Sequence, residues 1–482
     1  MDADTLFPDG PDPQQAGQAP VRFLPTPAAT AAPPHDFGAR VLMWKQDPTV
    51  GEIGTRSAYL PGPVLAGPRD ARIAPGSPGI AAVEPDTRGD FLPRPDTAQF
   101  DAVHTFAVVR QTLTMYQRAL LAAGLAMPLP WQWNSGSDTR PLAVYPHGLP
   151  NVMNAYYSRH QACLKFGHFL PDSRERGAAP DAAARVYTCR SFDIVAHETA
   201  HAVLDGLKPQ WLLADAPPQT GGLHEAFGDL TAIFLALSQL DQCEAIVAHT
   251  KARLHDRSYL ADIAEQFGAV LGEGGGLRNA DQDMTLAEAG TEVHAISQVF
   301  TGAVYDVLAD MFEHERNPAL DDDAAVLHRV AAYLRGLLLR ALIAAPERAA
   351  AYVDVVNAML RLVQEDGKPA IYGAFIRAQF ARRQVIDAAA AMAPWAPGTP
   401  VAPKVCDAPG ARQDRHACCG TMNLPEYRRV ERVLALEERE LASWCAANGR
   451  PGACALPQDA SSSVAAAAPL QLAVPPAATA PA

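Results

Sequence analysis

Asp193-Ile-Val-Ala-His197-Glu198-Thr-Ala-His201-Ala-Val-Leu-Asp205-Gly206 is the stretch on which the reading of this chain turns. An α-helix advances about 100° per residue, so side chains four apart lie one turn above each other on one face. His197 and His201 have that spacing, and two imidazoles so placed can reach a single metal ion. Glu198 sits beside them, where it can meet a metal-held water without ligating the ion itself. Ile194, Val195, Ala202 and Val203 supply apolar backing that would bury the helix, and Gly206 is a suitable stop signal. On its own the pattern is only moderately specific. A helix with two surface or core histidines would read the same way.

A second stretch, Gly221-Gly-Leu-His-Glu225-Ala-Phe-Gly-Asp229-Leu, opens another helix, with Glu225 twenty-four positions beyond His201. Glu225 and Asp229 again share a face. Two carboxylates on one face repel unless a cation neutralises them. A metal ligand at Glu225 resolves this, and Asp229 can then accept the ring N–H of a ligating histidine and fix its tautomer. Two histidines plus one carboxylate leave a fourth position for water, the arrangement of a catalytic zinc site. A merely solvated acidic face fits less well, because Ala226, Phe227, Leu230, Ile233 and Phe234 make this helix largely apolar.

These two segments resemble the paired zinc helices of the thermolysin-like (M4-type) gluzincin metallopeptidases. Their separation is a few residues longer than is usual there. Other pieces follow in the family's order. Asn154-Ala155-Tyr156-Tyr157 is similar to its edge strand, which pairs with substrate backbone, so the resemblance implies substrate binding by Asn154, Ala155 and Tyr157. Gly276-Leu277-Arg278 is similar to the segment whose arginine contacts the substrate carbonyl. Val293-His294-Ala295-Ile296-Ser297 is similar to the one whose histidine stabilises the oxyanion. The resemblance covers roughly residues 100–390, strongly at the zinc helices and weakly elsewhere.

The resemblance implies one catalytic Zn²⁺ held by His197, His201 and Glu225, with Asp229 and Asp193 supporting them. It implies peptide-bond hydrolysis in which Glu198 is general base and His294 and Arg278 act on the substrate. Some counterparts are missing. Trp211 and Leu212 occupy the region where the family has a tyrosine. Of its calcium ligands only Asp193 has a counterpart, and none follows Leu240. The acidic partner of the oxyanion histidine falls to Glu288 or Glu292.

The rest of the chain frames this site. Lys and Arg total 40 and Asp and Glu 53, for a net charge of −13. With no basic block, that balance argues against nucleic acid as a partner. The longest apolar run, around Leu337–Leu342, is too short and too interrupted by Arg335 and Arg340 to span a bilayer, so no membrane insertion is expected. The N-terminus MDADTLFPDGPDPQQ has neither a basic nor an apolar signal region. A cytoplasmic location is therefore expected, with export by a non-classical route as the alternative.

Composition divides the chain into a disordered 1–37, an irregular extension over 38–98, an N-lobe with the zinc helices over 99–240, a helical C-lobe over 241–398, a Cys-rich helical extension over 399–455 and a disordered tail over 456–482. Short β runs are expected at Arg40–Trp44, Leu142–Tyr145, Ala162–Phe166 and Val186–Cys189. Helices are expected at Phe100–Ala123, Asp193–Leu207, Leu223–Leu240 and, at least three of them, over Ala324–Ala391, with a further one at Pro425–Ala446. The class is α+β: a two-lobed thermolysin-like metallopeptidase with a mixed β-sheet N-lobe and an all-helical C-lobe. Five of the eight cysteines, Cys406, Cys418, Cys419, Cys445 and Cys454, crowd into the last eighty or so residues. They lack a paired CxxC pattern, so thiols or a disulfide are favoured over a structural zinc with His416.

The leading function is a zinc-dependent metalloendopeptidase acting on a peptide or protein. A gluzincin aminopeptidase or dedicated processing protease would need an extra acidic group near Asn154 to capture the substrate amine, and the sequence has none there. A zinc-bound but catalytically idle interaction module is the alternative of a different class; the presence of every ligand and of the base argues against it. Natural substrate and oligomeric state are not legible.

Overall fold

Ser191 opens the helix that carries the His-Glu-x-x-His segment: its side chain accepts from the Ile194 amide, and Asp193 in the first turn complements the helix dipole. The helix, Phe192–Leu207, lies inside a computed structural model that describes residues 38–50, 54–76, 80–134, 138–170, 185–213, 216–256, 258–264, 278–387 and 399–403. The expected disordered ends, the helix at Pro425–Ala446, the cysteines from Cys406 onward and Gly276–Leu277 lie outside the described residues.

The described chain is mixed α and β. In order it runs β1 (Ala39–Trp44), β2 (Thr55–Leu60), β3 (Ile73–Pro75), α1 (Ala98–Ala122), β4 (Leu142–Pro150), β5 (Ala155–Ser158), β6 (Cys163–Phe169), β7 (Val186–Tyr187), α2 (Phe192–Leu207), α3 (Pro218–Ala236), α4 (Leu240–Thr250), β8 (Asp262–Ile263), β9 (Arg278–Asn279), α5 (Leu286–Ala289), α6 (Val293–Glu315), α7 (Asp323–Ala344), α8 (Tyr352–Glu365) and α9 (Ala370–Arg382). The expected helices and strands are present with shifts of a few residues. β4 runs on to Pro150, five residues past the expected Tyr145, and two other elements differ in their bounds. α3 starts at Pro218, because proline is at home in the first helical turn, and ends at Ala236. The strand expected through Cys189 stops at Tyr187 and tightens into a 3₁₀ turn over Thr188–Arg190.

The larger sheet has the order β3-β4-β6-β5, with β7 also on β6. β3, β4 and β6 run parallel, while β5 and β7 pair antiparallel to β6. The link from β3 to β4 contains α1, as a parallel pair requires a long crossover. β5 ends the order, so no described strand lies on its outer side, and its residues pack towards α2. β1 and β2 form a separate antiparallel pair against α1.

α3 is the axis of the molecule. Every residue from Thr220 to Ala236 is buried, with α2 and α6 as its main neighbours. Burying each Leu, Ile or Phe of such a helix contributes roughly 1.5–3 kcal/mol, which outweighs the cost of placing three glycines in it. Those glycines permit close approach: a Cβ at Gly222 would meet the Tyr352 hydroxyl at 2.2 Å. The α1–α3 contact adds a hydrogen bond between the Tyr116 hydroxyl and Thr231 Oγ1, 2.6 Å apart. Among the described residues no single helix is long and apolar enough to cross a membrane.

Candidate metal centre

α2 and α3 cross so that His197 and His201 face Glu225. The two Nε2 atoms are 3.1 Å apart. His197 Nε2 is 3.3 Å from Glu225 Oε2, and His201 Nε2 is 3.5 Å from Glu225 Oε1. Ligands about 2.0–2.1 Å from a tetrahedral zinc stand about 3.3 Å from one another, so these spacings match the edges of its coordination shell. All three side chains are buried, and neither Glu225 oxygen has a hydrogen-bond partner among the described residues. A buried carboxylate left without hydrogen bonds is costly unless a cation completes it. The donor set therefore fits zinc.

Electrostatics put the ligands in the forms a metal needs. Burial opposes charge on Glu225, but His294, His197 and His201 hold its carboxyl well below the usual range, so it is ionised. Burial pushes the His201 imidazole well below its ordinary value, so it is neutral.

A layer of partners lies behind the ligands. His197 Nδ1 is 2.9 Å from Asp229 Oδ1, the carboxylate–histidine arrangement that orients a metal ligand. Arg278 in β9 donates to both oxygens of Asp229, from Nε at 2.9 Å and Nη2 at 2.6 Å. Burial pushes the Asp229 carboxyl up, yet Arg278 and His197 hold it below its usual value. The cation that relieves the Glu225–Asp229 repulsion thus includes a guanidinium that spacing along α3 could not reveal. Arg278, expected on the substrate, has a place in the protein as the clamp on Asp229.

His294 begins α6 and turns towards the same centre: its Nε2 is 3.6 Å from Glu225 Oε2, and its Nδ1 is 2.7 Å from Glu292 Oε1. Glu292 is also the helix cap, accepting from the Ala295 amide. Burial works against a charge on His294, but Glu225 and Glu292 outweigh it and raise its pKa. Of the two acidic residues expected for this role, Glu292 fills it; Glu288 instead closes a capping box with Thr285. Glu198 is buried on α2 between the two histidines.

Four further expected residues, Asp193, Asn154, Ala155 and Tyr157, have these places in the structure. Asp193 bonds to none of the ligands; one turn before His197, its carboxylate accepts from the Ala264 amide at 3.4 Å. Tyr157 faces inward and its hydroxyl donates to Asp205 at 2.8 Å, because alternate residues of β5 must point to opposite faces and this one meets the end of α2. Asp205 also pairs with Arg159. Asn154 is turned back on the chain: its Oδ1 accepts from Ala155 and its carbonyl from Gly167, both at 2.8 Å. Ala155 is buried as well, so the side chains at 155 and 157 both lie in the interior of the protein. Trp211 is buried and donates to the Pro346 carbonyl at 3.0 Å, away from the centre.

Two residues of the site escaped notice in the sequence. His224 Nδ1 lies 2.7 Å from His201 Nδ1. Its position immediately before Glu225, one step round α3, was the available signal. Gly228 lies against the His197 ring; a glycine in mid-helix marks such an approach.

Two other groups of metal-type donors occur among the described residues. In Asp101–His147–Cys189, Arg190 and His147 already satisfy Asp101. In His255–Asp281–Asp306, Arg383 Nη2 bonds Asp306 at 2.8 Å. In neither is a carboxylate left without a hydrogen bond, as Glu225 is. Comparison of the chain with protein-family models gives no match, and comparison with curated proteins gives none.

Proposed function

We propose that this chain is a zinc-dependent metalloendopeptidase with a two-lobed, thermolysin-like arrangement. The observation that carries the reading is the convergence of His197 Nε2, His201 Nε2 and Glu225 at 3.1–3.5 Å from one another in a buried site. The presence of Glu198 beside the histidines on α2, and of His294 Nε2 at 3.6 Å from Glu225, supports hydrolysis over a purely structural metal.

A bound zinc ion would supply Lewis acidity and lower the pKa of water at this point. The remaining work falls to the protein. Glu198, one residue from a ligand, accepts the proton of the attacking water and returns it to the leaving amine. His294, held at Nδ1 by Glu292, presents Nε2–H towards the oxygen on which charge develops. Asp229 and Arg278 keep His197 in the tautomer that leaves Nε2 free for the ion. The outer side of β5, last in the sheet order, holds the extended substrate by main-chain hydrogen bonds.

The test is cleavage of a mixed peptide library by the purified chain, with and without chelator. Internal cleavage that stops on chelation, returns with zinc and is absent from Glu198→Gln is the expected result. Stoichiometric zinc with no cleavage of any peptide sinks the enzyme and leaves a metal-bound interaction module. Removal of single N-terminal residues alone indicates an aminopeptidase.

A further inference from the structure

His255, Asp281 and Asp306 converge in a part of the molecule that the proposed hydrolysis does not use. Each comes from a different segment: His255 from the loop after α4, Asp281 from the loop after β9, and Asp306 from the middle of α6. His255 Nδ1 stands 3.5 Å from Asp281 Oδ1 and 3.4 Å from Asp306 Oδ1. Both separations exceed the roughly 2.7–3.2 Å of a well-formed N–H···O bond. One ring nitrogen also has a single N–H to give, so it serves two oxygens poorly. The same separations match the edge of about 3.3 Å between ligands held about 2.0–2.1 Å from one shared ion.

The neighbouring arginines leave this point open. Arg383 Nη2 bonds Asp306 Oδ2 at 2.8 Å, which turns Oδ1 towards the His255 ring. Arg382 is drawn to Asp283. Among the described residues Asp281 has His255 as its one ion-pair partner. The Asp306 side chain is 2% exposed, so its Oδ1 is a desolvated donor at the back of the group. His255 and Asp281, at 46% and 24%, form the open side, from which solvent can complete a coordination shell.

We propose that these three side chains form a second metal site, one that takes a divalent ion of the manganese-to-zinc class. One imidazole with two carboxylates suits that class. Calcium takes oxygen ligands and is disfavoured by the nitrogen, and copper(I) is disfavoured by the lack of sulfur. The site shares no residue with His197, His201 and Glu225, so it stands independently of the hydrolase reading. An ion here joins the loop after β9 to α6. Arg278 lies three residues before Asp281, and the ion thereby steadies the segment whose guanidinium clamps Asp229.

Mn²⁺ is the probe, because thiolates hold it poorly and the full chain carries eight cysteines. The full chain is first given one equivalent of Zn²⁺. Mn²⁺ is then added and the free ion followed by its electron paramagnetic resonance signal. Binding of one Mn²⁺ per chain is expected. His255→Ala and Asp281→Asn, both on the open side, should each raise its dissociation constant at least ~10-fold, since removing even an outer partner of a metal ligand does that much. In the ¹⁵N-histidine-labelled parent, the bound ion should broaden the ring signals of His255 before those of any other histidine. The site is overturned if millimolar Mn²⁺ leaves the His255 signals sharp, or if folded His255→Ala and Asp281→Asn chains bind the ion as tightly as the parent. Failure of zinc to load at His197 and His201 would remove the hydrolase reading alone, because the His255 signals report on this site separately.

Discussion

Gly228 stands so close to His197 that a Cβ at this position would lie 2.5 Å from both Cε1 and Nδ1 of the imidazole. The contact is between an α3 backbone and the ring of an α2 ligand, so it sets how closely the two helices approach. The same turn of α3 carries Glu225 and Asp229.

Gly228→Ala is accordingly expected to act on the site despite being a favourable change for a helix. Overpacking in a full core costs roughly 1–3 kcal/mol, more than the ~1 kcal/mol that alanine returns by propensity. The ring must shift, and with it the 2.9 Å contact to Asp229. Zinc titration and urea unfolding should both show a loss. Unchanged affinity together with unchanged stability would disprove the close approach.

Arg278→Met should destabilise the fold even where no substrate is present. It strands the buried Asp229 carboxylate, and breaking one side of a buried pair costs about 3–5 kcal/mol. Urea unfolding of the metal-free chain measures it. Adding Asp229→Leu to Arg278→Met should recover part of the loss, since both charges are then gone. An Arg278 that served substrate alone would leave the unfolding midpoint where it was.

Zinc removal should lower the melting temperature. A ligand bound only by the folded chain adds about 4 kcal/mol at a free concentration a thousand times its dissociation constant. The three residues proposed to hold the ion come from two helices, α2 and α3, so the loss should be cooperative rather than local. Calorimetry before and after dialysis against chelator reads this directly. Melting curves that superimpose with and without zinc would be incompatible with the centre described.

Acid should weaken the fold in part through His104 on α1, which is not one of the residues of the candidate metal centre. Its ring is fully buried, accepts from the Trp44 amide at 3.2 Å, and is pushed by burial down to about 4. In the unfolded chain its pKa is about 6.5. Between those values the unfolded chain binds a proton that the folded chain refuses, so stability falls as pH drops from about 6.5 to about 4, by at most roughly 3 kcal/mol. His104→Asn keeps an acceptor for Trp44 and cannot titrate. Its stability should therefore decline less than the parent's across that window; parallel profiles would show that His104 does not contribute.

Both zinc-helix segments could be read along the chain because their information is local. The i, i+4 spacing of His197 with His201 and of Glu225 with Asp229 is a property of one helix at a time. The apolar runs that bury α2 and α3 are equally local, whereas the acidic partner of His294 was legible only as Glu288 or Glu292. The α+β class followed from the same short-range periodicities.

What crosses between elements could not be read in that way. Arg278 belongs to a two-residue strand forty-nine positions after Asp229, and only the packed fold turns its guanidinium onto that carboxylate. Tyr157 was legible as a strand residue but not as one whose face meets Asp205. Asp193, legible as a helix-start carboxylate, is directed to Ala264 by a loop it contacts only after folding. The pairing of His224 with His201 depends on the rotation of α3 about its own axis, which no spacing within α3 specifies. Sequence alone determined which residues could be ligands, because that is a matter of chemistry and helical repeat. The tertiary structure decided what supports them, because support acts across gaps of a few ångströms between segments far apart along the chain.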